Sequence, residues 1–298
     1  MAAEGTCPPS LDIVTVLYVE WTGIVRNLRK SLSVEYKTPK MLMGTYGSHH
    51  SLSDTGGPGG EVPVTLALPI DSSISGQQVR TLFLLGASDS TDEMAATAQE
   101  SQEHRDIIQK DFKDVYYNLT LKTMMGMEWV HHFCPQATFV MKTDSDMFVN
   151  VGYLTELLLR KNKTTRFFTG FLMINYVAIR SKFSKWFVSK FEYPWDRYPP
   201  FCSGTGYVLS TDVAKEVYRV SESIPFLKLE DVFVGLCLAK LKIRPEKLHS
   251  KQTFFPGGLR FSVCRFQKIV TCHYVTPHNL LNYWQALESN QEEDCAAV

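Results

Sequence analysis

From Thr81 onward, short apolar runs alternate with stretches of helical periodicity, the pattern of an α/β layer built on parallel strands. Residues 81–86 (TLFLLG), 138–142 (TFVMK) and 167–172 (FFTGFL) each read as a buried strand. Between the first two, Tyr117, Leu121, Met125, Trp129 and Phe133 recur every four residues. A helix is therefore predicted over 117–133, stopped by Pro135. A second helix is predicted over 151–160, with Leu154, Leu157 and Leu158 toward the core. A third is predicted over 232–241, with Phe233, Leu236, Cys237 and Leu241 on one side. Residues 268–272 (KIVTC) read as a further strand.

The first quarter has a different texture. Residues 48–60 (SHHSLSDTGGPGG) carry no apolar periodicity and read as a loop or linker. The domain boundary is accordingly placed at 75/76: an atypical, partly disordered segment over 1–75, then one α/β domain over 76–298. Residues 11–19 and 62–70 are strand candidates, the second demoted by Pro63 and Pro69. Residues 183–207 are dense in aromatics and prolines, which places the rings on loops or edge strands. They form either a packed loop-rich core or a wall for stacking on a sugar or another flat ligand.

Charge removes one class of partner. Lys plus Arg (31) equals Asp plus Glu (31), so no overall positive field drives nucleic-acid binding. The seven cysteines include no CxxC pair that would mark a structural zinc or redox motif. The sequons at Asn118 and Asn162 are glycan acceptors in a secretory compartment. Against that, residues 11–25 contain Asp12 and Glu20, and residues 1–10 carry no Lys or Arg. No signal peptide or anchor is expected from this text.

The chemistry centres on Lys142-Thr143-Asp144-Ser145-Asp146, where a buried strand runs out. In open α/β sheets, ligands bind beyond the carboxyl ends of the strands. Two carboxylates there suit a hard divalent cation whose shell is completed by substrate phosphates. A second acidic pair, Glu230-Asp231, stands at the start of the predicted third helix. It either complements the helix dipole, worth about 0.3–1 kcal/mol, or supplies a general base. His273 follows a strand-like run and serves either as a structural hydrogen-bonding residue or as a third ligand. Gly204-Thr205-Gly206 and Gly257-Gly258 match no phosphate-cradling motif and mark turns or close backbone approach.

Several long stretches in order, RTLFLLGA, DIIQKDFKDVYYNLTLKTMMGMEWV, FVMKTDSDMFVNV, RFFTGF, YPPFCSGTGYVLS, KLEDVFVGLCL and TFFPGGLRFSVC, resemble the beta-1,3-galactosyltransferase family, glycosyltransferase family 31. The resemblance covers about residues 76–298. It implies a GT-A type glycosyltransferase domain with a mostly parallel central sheet. It also implies an inverting enzyme that uses Mn2+ to move galactose from UDP-galactose to the 3-hydroxyl of a terminal N-acetylglucosamine on a glycolipid or glycoprotein. On this pattern Asp146, Asp144 and His273 hold the metal, and Lys142, Asp144 and Ser145 the donor. Asp231 is the catalytic base with Glu230 as the fallback. Trp186, Tyr198, Gly204, Thr205, Gly206 and Tyr207 line the donor sugar and the acceptor. The resemblance further implies a lumenal Golgi membrane location and disulfides among Cys134, Cys202, Cys237 and Cys264.

Two rival readings stand beside it. Asp-x-Asp after a strand also marks phosphatases of the haloacid dehalogenase type, but those carry Thr or Val where this chain has Phe148. A non-catalytic glycan- or partner-binding relative is motivated by residues 1–75. There the family's opening strand, ending Thr-Ser-Ser, and its arginine-rich helix are not recognisable; residues 64–73 (VTLALPIDSS) imitate the strand without the helix.

Overall fold

A computed structural model of the chain describes residues 12–19, 70–74 and 77–289. Among these, a seven-stranded sheet is built from β1 (Asp12–Val19), β2 (Ile70–Ile74), β3 (Gln77–Ala87), β4 (Ile107–Lys113), β5 (Phe139–Asp144), β7 (Phe168–Met173) and β8 (Phe201–Ser210). The short strands β6 (Phe148–Val149), β9 (Phe254–Phe255) and β10 (Thr271–Cys272) form a second sheet. The helices are α1 (Thr91–His104), α2 (Leu119–Phe133), α3 (Val151–Lys161), α4 (Thr211–Ser221), α5 (Glu230–Lys240), α6 (Val263–Phe266) and α7 (Pro277–Ser289). The class is α/β, as expected.

The strands β4, β3, β1 and β5 run parallel; β8 is antiparallel to its neighbours β5 and β7. β2 runs antiparallel along the first half of β3, while β4 takes the second half of the same edge. Alternation along each strand feeds two cores. Leu82, Leu84 and Val140 pack on one face of the sheet, and Val79, Phe83, Leu85, Phe139 and Met141 on the other.

β1 has a consequence for the organisation of the chain. Its run DIVTVLYV is rich in the β-branched residues that favour strands, and its backbone pairs in parallel with β3 on one side and β5 on the other. The boundary drawn at 75/76 therefore falls beyond two strands of the central sheet. The linker expected over 48–60 lies outside the described residues. Of the strand imitation at 64–73, the described part starts at Ile70 and forms an antiparallel edge strand; Asp12–Val19 takes the parallel place beside β5.

Three expectations about elements are corrected. The helix foreseen over 117–133 starts at Leu119, after a 3-10 turn over Tyr116–Asn118. Tyr117 and Leu121, at the start of the four-residue stripe, remain 48% and 39% exposed. A four-residue step drifts about 40° around a helix of 3.6 residues per turn, so the stripe cannot stay on one face. The aromatic stretch stays loop-like only to Pro200; from Phe201 it is β8, an internal strand rather than an edge. Finally, Cys134 and Cys264 are disulfide-bonded, whereas Cys202 and Cys237 are buried free thiols and take no part.

Candidate active site

The carboxyl end of β5 delivers Lys142, Thr143 and Asp144, and the chain then turns sharply at Ser145 and Asp146 before β6. β6 pairs with β10 so that Phe148 faces Cys272. His273, the next residue, is thereby brought back over the turn. Its Nε2 lies 2.9 Å from Asp146 Oδ2 and its Nδ1 3.0 Å from the Pro256 carbonyl. A carbonyl only accepts, so Nδ1 carries hydrogen and Nε2 is the atom presented to Asp146. The carboxylate raises the His273 pKa, through the hydrogen bond first; the same bond pulls the Asp146 carboxyl below its usual range, against the opposing effect of burial.

Asp144 is turned the other way. Lys142, with a fully buried side chain, donates to Asp144 Oδ1 at 2.6 Å and to the Gly204 carbonyl at 2.5 Å, and lies 3.5 Å from Glu230 Oε2. These partners outweigh the desolvation cost and hold the ammonium well above its ordinary pKa. Among the described residues, no three His, Cys, Asp or Glu side chains gather as a metal cluster. Asp146 and His273 are together, Asp144 is engaged by Lys142, and Ser145 sits half-buried between the two aspartates.

The second acidic pair opens α5, two residues earlier than the periodicity suggested. Leu229 at the N-cap supplies no side-chain cap, so the acids occupy the first turn, where the helix dipole favours negative charge. Asp231 accepts from the Gly204 N–H (3.2 Å) and from the Val232 N–H (2.9 Å). Burial raises its carboxyl, and those two N–H groups oppose the rise. Glu230 is buried more completely and is pushed up to about 6, chiefly by desolvation. One of its oxygens accepts from the Tyr207 hydroxyl and the other faces Lys142. Both oxygens are thus engaged inside the protein, while Asp231 is only half-buried.

The residues expected along the acceptor divide. Gly204, Thr205 and Gly206 lie in β8, with Gly206 opposite Thr143 in the register. A Cβ on Gly204 would stand 3.0 Å from Glu230 Oε2 and 3.4 Å from Asp231 Cβ, which is the close backbone approach read from the sequence. Trp186 is 49% exposed beside the site. Tyr198 is buried, its hydroxyl has no partner among the described residues, and burial moves its pKa up to about 12. Tyr207 is placed differently from expectation. It is fully buried opposite Lys142, so its ring supports the charged network instead of lining a ligand. Asn162 is exposed at the C-cap of α3, and the Asn118 amide donates to the Lys113 carbonyl.

Sequence reasoning missed Tyr116. Its ring comes from the turn before α2 and shares with Trp186 the Lys185 ammonium, which stands 5.5 Å from the Tyr116 ring and 4.9 Å from the Trp186 ring; burial, helped by the charges of Asp231 and Asp144, raises its hydroxyl pKa. Neither spacing nor residue type signalled it, because that turn follows a strand on the far side of β1 from β5.

A family model described as Galactosyltransferase matches residues 69–249. Beta-1,3-galactosyltransferase 5 of Mus musculus is 78% identical over 228 residues, covering 76% of this chain and 74% of that protein. Beta-1,3-galactosyltransferase 5 of Homo sapiens is 71% identical over 225 residues, covering 76% and 73%. Beta-1,3-galactosyltransferase 2 of Homo sapiens is 45% identical over 230 residues, covering 76% and 54%.

Proposed function

The chain belongs to the galactosyltransferase family, and on that premise we propose that it moves galactose from UDP-galactose to the 3-hydroxyl of a terminal N-acetylglucosamine, with inversion. The observation that carries the reading is Lys142, whose ammonium touches both Asp144 and Glu230 and so ties the Asp-x-Asp turn and the acid-bearing helix to one site. The non-catalytic alternative is not favoured against 71–78% identity to named galactosyltransferases.

Asp231 is the base: half-buried and at a helix start, it draws the proton from the acceptor hydroxyl as that oxygen attacks the anomeric carbon. Glu230, with both oxygens committed to Tyr207 and Lys142, keeps Lys142 in place. Lys142 in turn orients Asp144 and the Gly204 carbonyl, and the Gly204 N–H orients Asp231. Trp186 offers an exposed ring for the apolar face of a sugar.

Asp146 and His273 fit Mn2+. A carboxylate and an imidazole are donors that Mn2+ accepts, and the Pro256 carbonyl fixes the ring with Nε2 outward. Asp144 and the donor diphosphate would complete the set. When bound, the ion would neutralise charge developing on the leaving diphosphate. A lumenal Golgi location is part of the proposal; the disulfide-bonded Cys134 and Cys264 and the sequons at Asn118 and Asn162 support an oxidising, glycosylating compartment.

The test is galactose transfer to an N-acetylglucosamine-terminated glycan, with Mn2+ or with chelator, beside Asp146→Ala and Asp231→Ala. Metal-dependent product lost in both variants is expected. No product from a folded wild-type chain would overturn the reading.

A further inference from the structure

A cluster of cations stands at the other end of the sheet. Phe168 pairs with Leu209 and Phe139 with Ser210, so β7 starts level with the start of β5. At about 3.3 Å per residue, that is roughly 16 Å along β5 from Asp144. There residues 163–166, entering β7, and residues 242–246, leaving α5, enclose an open cavity of about 600 Å³. Its walls carry Lys163, Arg166, Lys242 and Arg244 against one carboxylate, Glu246. Both rims are fastened: the Arg166 N–H donates to Asp212 Oδ2 at 2.9 Å, and the Glu246 N–H to the Phe168 carbonyl at 2.9 Å.

Pairing accounts for only half of that positive charge. Lys163 and Lys161 both hold Glu246, the second at 3.2 Å. Arg166 donates to the carbonyls of Leu241 and Lys242 at 3.2 and 3.4 Å, which closes the end of α5 and complements its dipole. Among the described residues, Lys242 and Arg244 have no carboxylate partner, and both are exposed on the cavity wall. Like charges around one cavity repel, and an anion between them relieves the repulsion. Arg166 (φ 49°) and Lys242 (φ 57°) moreover hold left-handed backbone, which non-glycine residues adopt at a cost and which recurs at ligand clamps.

We propose that this cavity binds an anionic saccharide, its sulfate or carboxylate held between Lys242 and Arg244. The Arg244 guanidinium offers the paired N–H groups that match such an oxyanion, and Lys242 adds a point charge. The volume far exceeds what a lone ion fills and falls in the range of sites for small organic ligands. Thr165 supplies a hydroxyl for sugar oxygens, and Pro245 supplies apolar surface for the carbon face of a sugar. The sequon at Asn162, an exposed residue next to Lys163, puts a saccharide acceptor at the rim and favours a saccharide over other carriers of an oxyanion. The same chemistry has two sources, an acidic chain of a separate glycan or the glycan on Asn162 itself. The site is distinct from the transfer site and does not depend on the transferase reading.

The test is calorimetric binding of a heparin-derived tetrasaccharide to the full chain from a glycosylating host, beside the desulfated tetrasaccharide and inorganic sulfate. Each protein is made with and without Thr164→Ala, which removes the sequon. Wild type is compared with the double variant Lys242→Gln, Arg244→Gln and with the double variant Lys182→Gln, Lys268→Gln, which removes the same charge from exposed lysines elsewhere. The expected result is tetrasaccharide binding weakened at least about tenfold in the first double variant and little changed in the second. Arg244→Gln alone, at an exposed side chain, gives a smaller loss in the same direction. No binding by either wild type or Thr164→Ala overturns the proposal, as does an equal loss in both double variants, which would mark net charge alone. Undiminished binding of the desulfated form overturns it too, as does inorganic sulfate bound as tightly as the tetrasaccharide. Equal binding with and without Thr164→Ala assigns the cavity to a separate glycan; binding seen only with Thr164→Ala assigns it to the glycan on Asn162.

Discussion

His273 Nε2 lies 2.9 Å from Asp146 Oδ2 although 127 residues separate the two in the chain. The contact exists because β10 pairs with β6 and delivers His273 over the turn that bears Asp146. On the proposal that both side chains hold Mn2+, Asp146→Ala and His273→Ala are each expected to lower turnover at fixed Mn2+ by at least about 100-fold, the upper range seen when metal sites lose supporting partners. A titration of turnover against Mn2+ checks this. An unchanged metal dependence in His273→Ala would remove His273 from the site.

Asp231 and Glu230 are neighbours to which the proposed mechanism gives different work. Asp231→Asn is expected to cut kcat by roughly 10²–10⁴, the range of general-base catalysis, with the KM for UDP-galactose little changed. Glu230→Gln keeps a partner for the Tyr207 hydroxyl and is expected to retain far more activity than Asp231→Asn. Steady-state kinetics of the two variants decide it; the reverse order would make Glu230 the base.

Glu230 also leaves a signature in stability against pH. Its carboxyl is pushed from the ordinary 4.5 up to about 6, so below 4.5 both folded and unfolded chains hold the proton. Between those values the unfolded chain ionises first, and above about 6 the folded protein carries the full cost of a buried carboxylate. Wild type therefore loses roughly 2 kcal/mol relative to Glu230→Gln as pH rises through that window, at about 1.36 kcal/mol per unit. Urea unfolding of the pair at pH 4.5 and pH 7.5 measures it. A constant difference would show that Glu230 has no raised pKa.

Lys122 and Asp114 form a buried ion pair at 2.6 Å with side chains 1% and 2% exposed, and Asp114 also accepts from the Gly86 N–H at 2.8 Å. This pair fastens the end of β3 to the turn that presents Tyr116. Asp114→Ala is expected to destabilise by about 3–5 kcal/mol, since it leaves Lys122 charged and buried. Denaturant unfolding tests this, and the Asp114→Leu, Lys122→Met double variant should lose less than the two single changes summed.

Gly204 is close to the acids through its backbone. Gly204→Ala puts a methyl 3.0 Å from Glu230 Oε2 and 3.4 Å from Asp231 Cβ. The expected outcome is a fall in kcat of about tenfold or more from displaced acids, since small misplacements of reacting groups are costly. Thermal unfolding should move little, and a variant with wild-type kcat would show that the acids tolerate the shift.

Much of the fold was legible because apolar periodicity is a local property. The strand read over 138–142 is found as β5, shifted to Phe139–Asp144, with its two faces in two cores, and Leu154, Leu157 and Leu158 of α3 are buried as their spacing required. The run at 11–19 was recognisable as a strand, but its parallel place between β3 and β5 was not, because strand order depends on chain crossings rather than composition. Tyr207 looked like part of an aromatic wall, and only its register opposite Lys142 shows it buried under the ion network.

The sequence by itself determined the family, the alternation of strands and helices, and the positions of the Asp-x-Asp and Glu-Asp pairs, since each is written within a few neighbouring residues. Tertiary structure alone decided that Asp146 meets His273, that Lys142 bridges Asp144 and Glu230, and that Lys185 stands over the rings of both Tyr116 and Trp186. Those contacts depend on strand register and on which loops the two cores press together, distances that sequence separation does not encode.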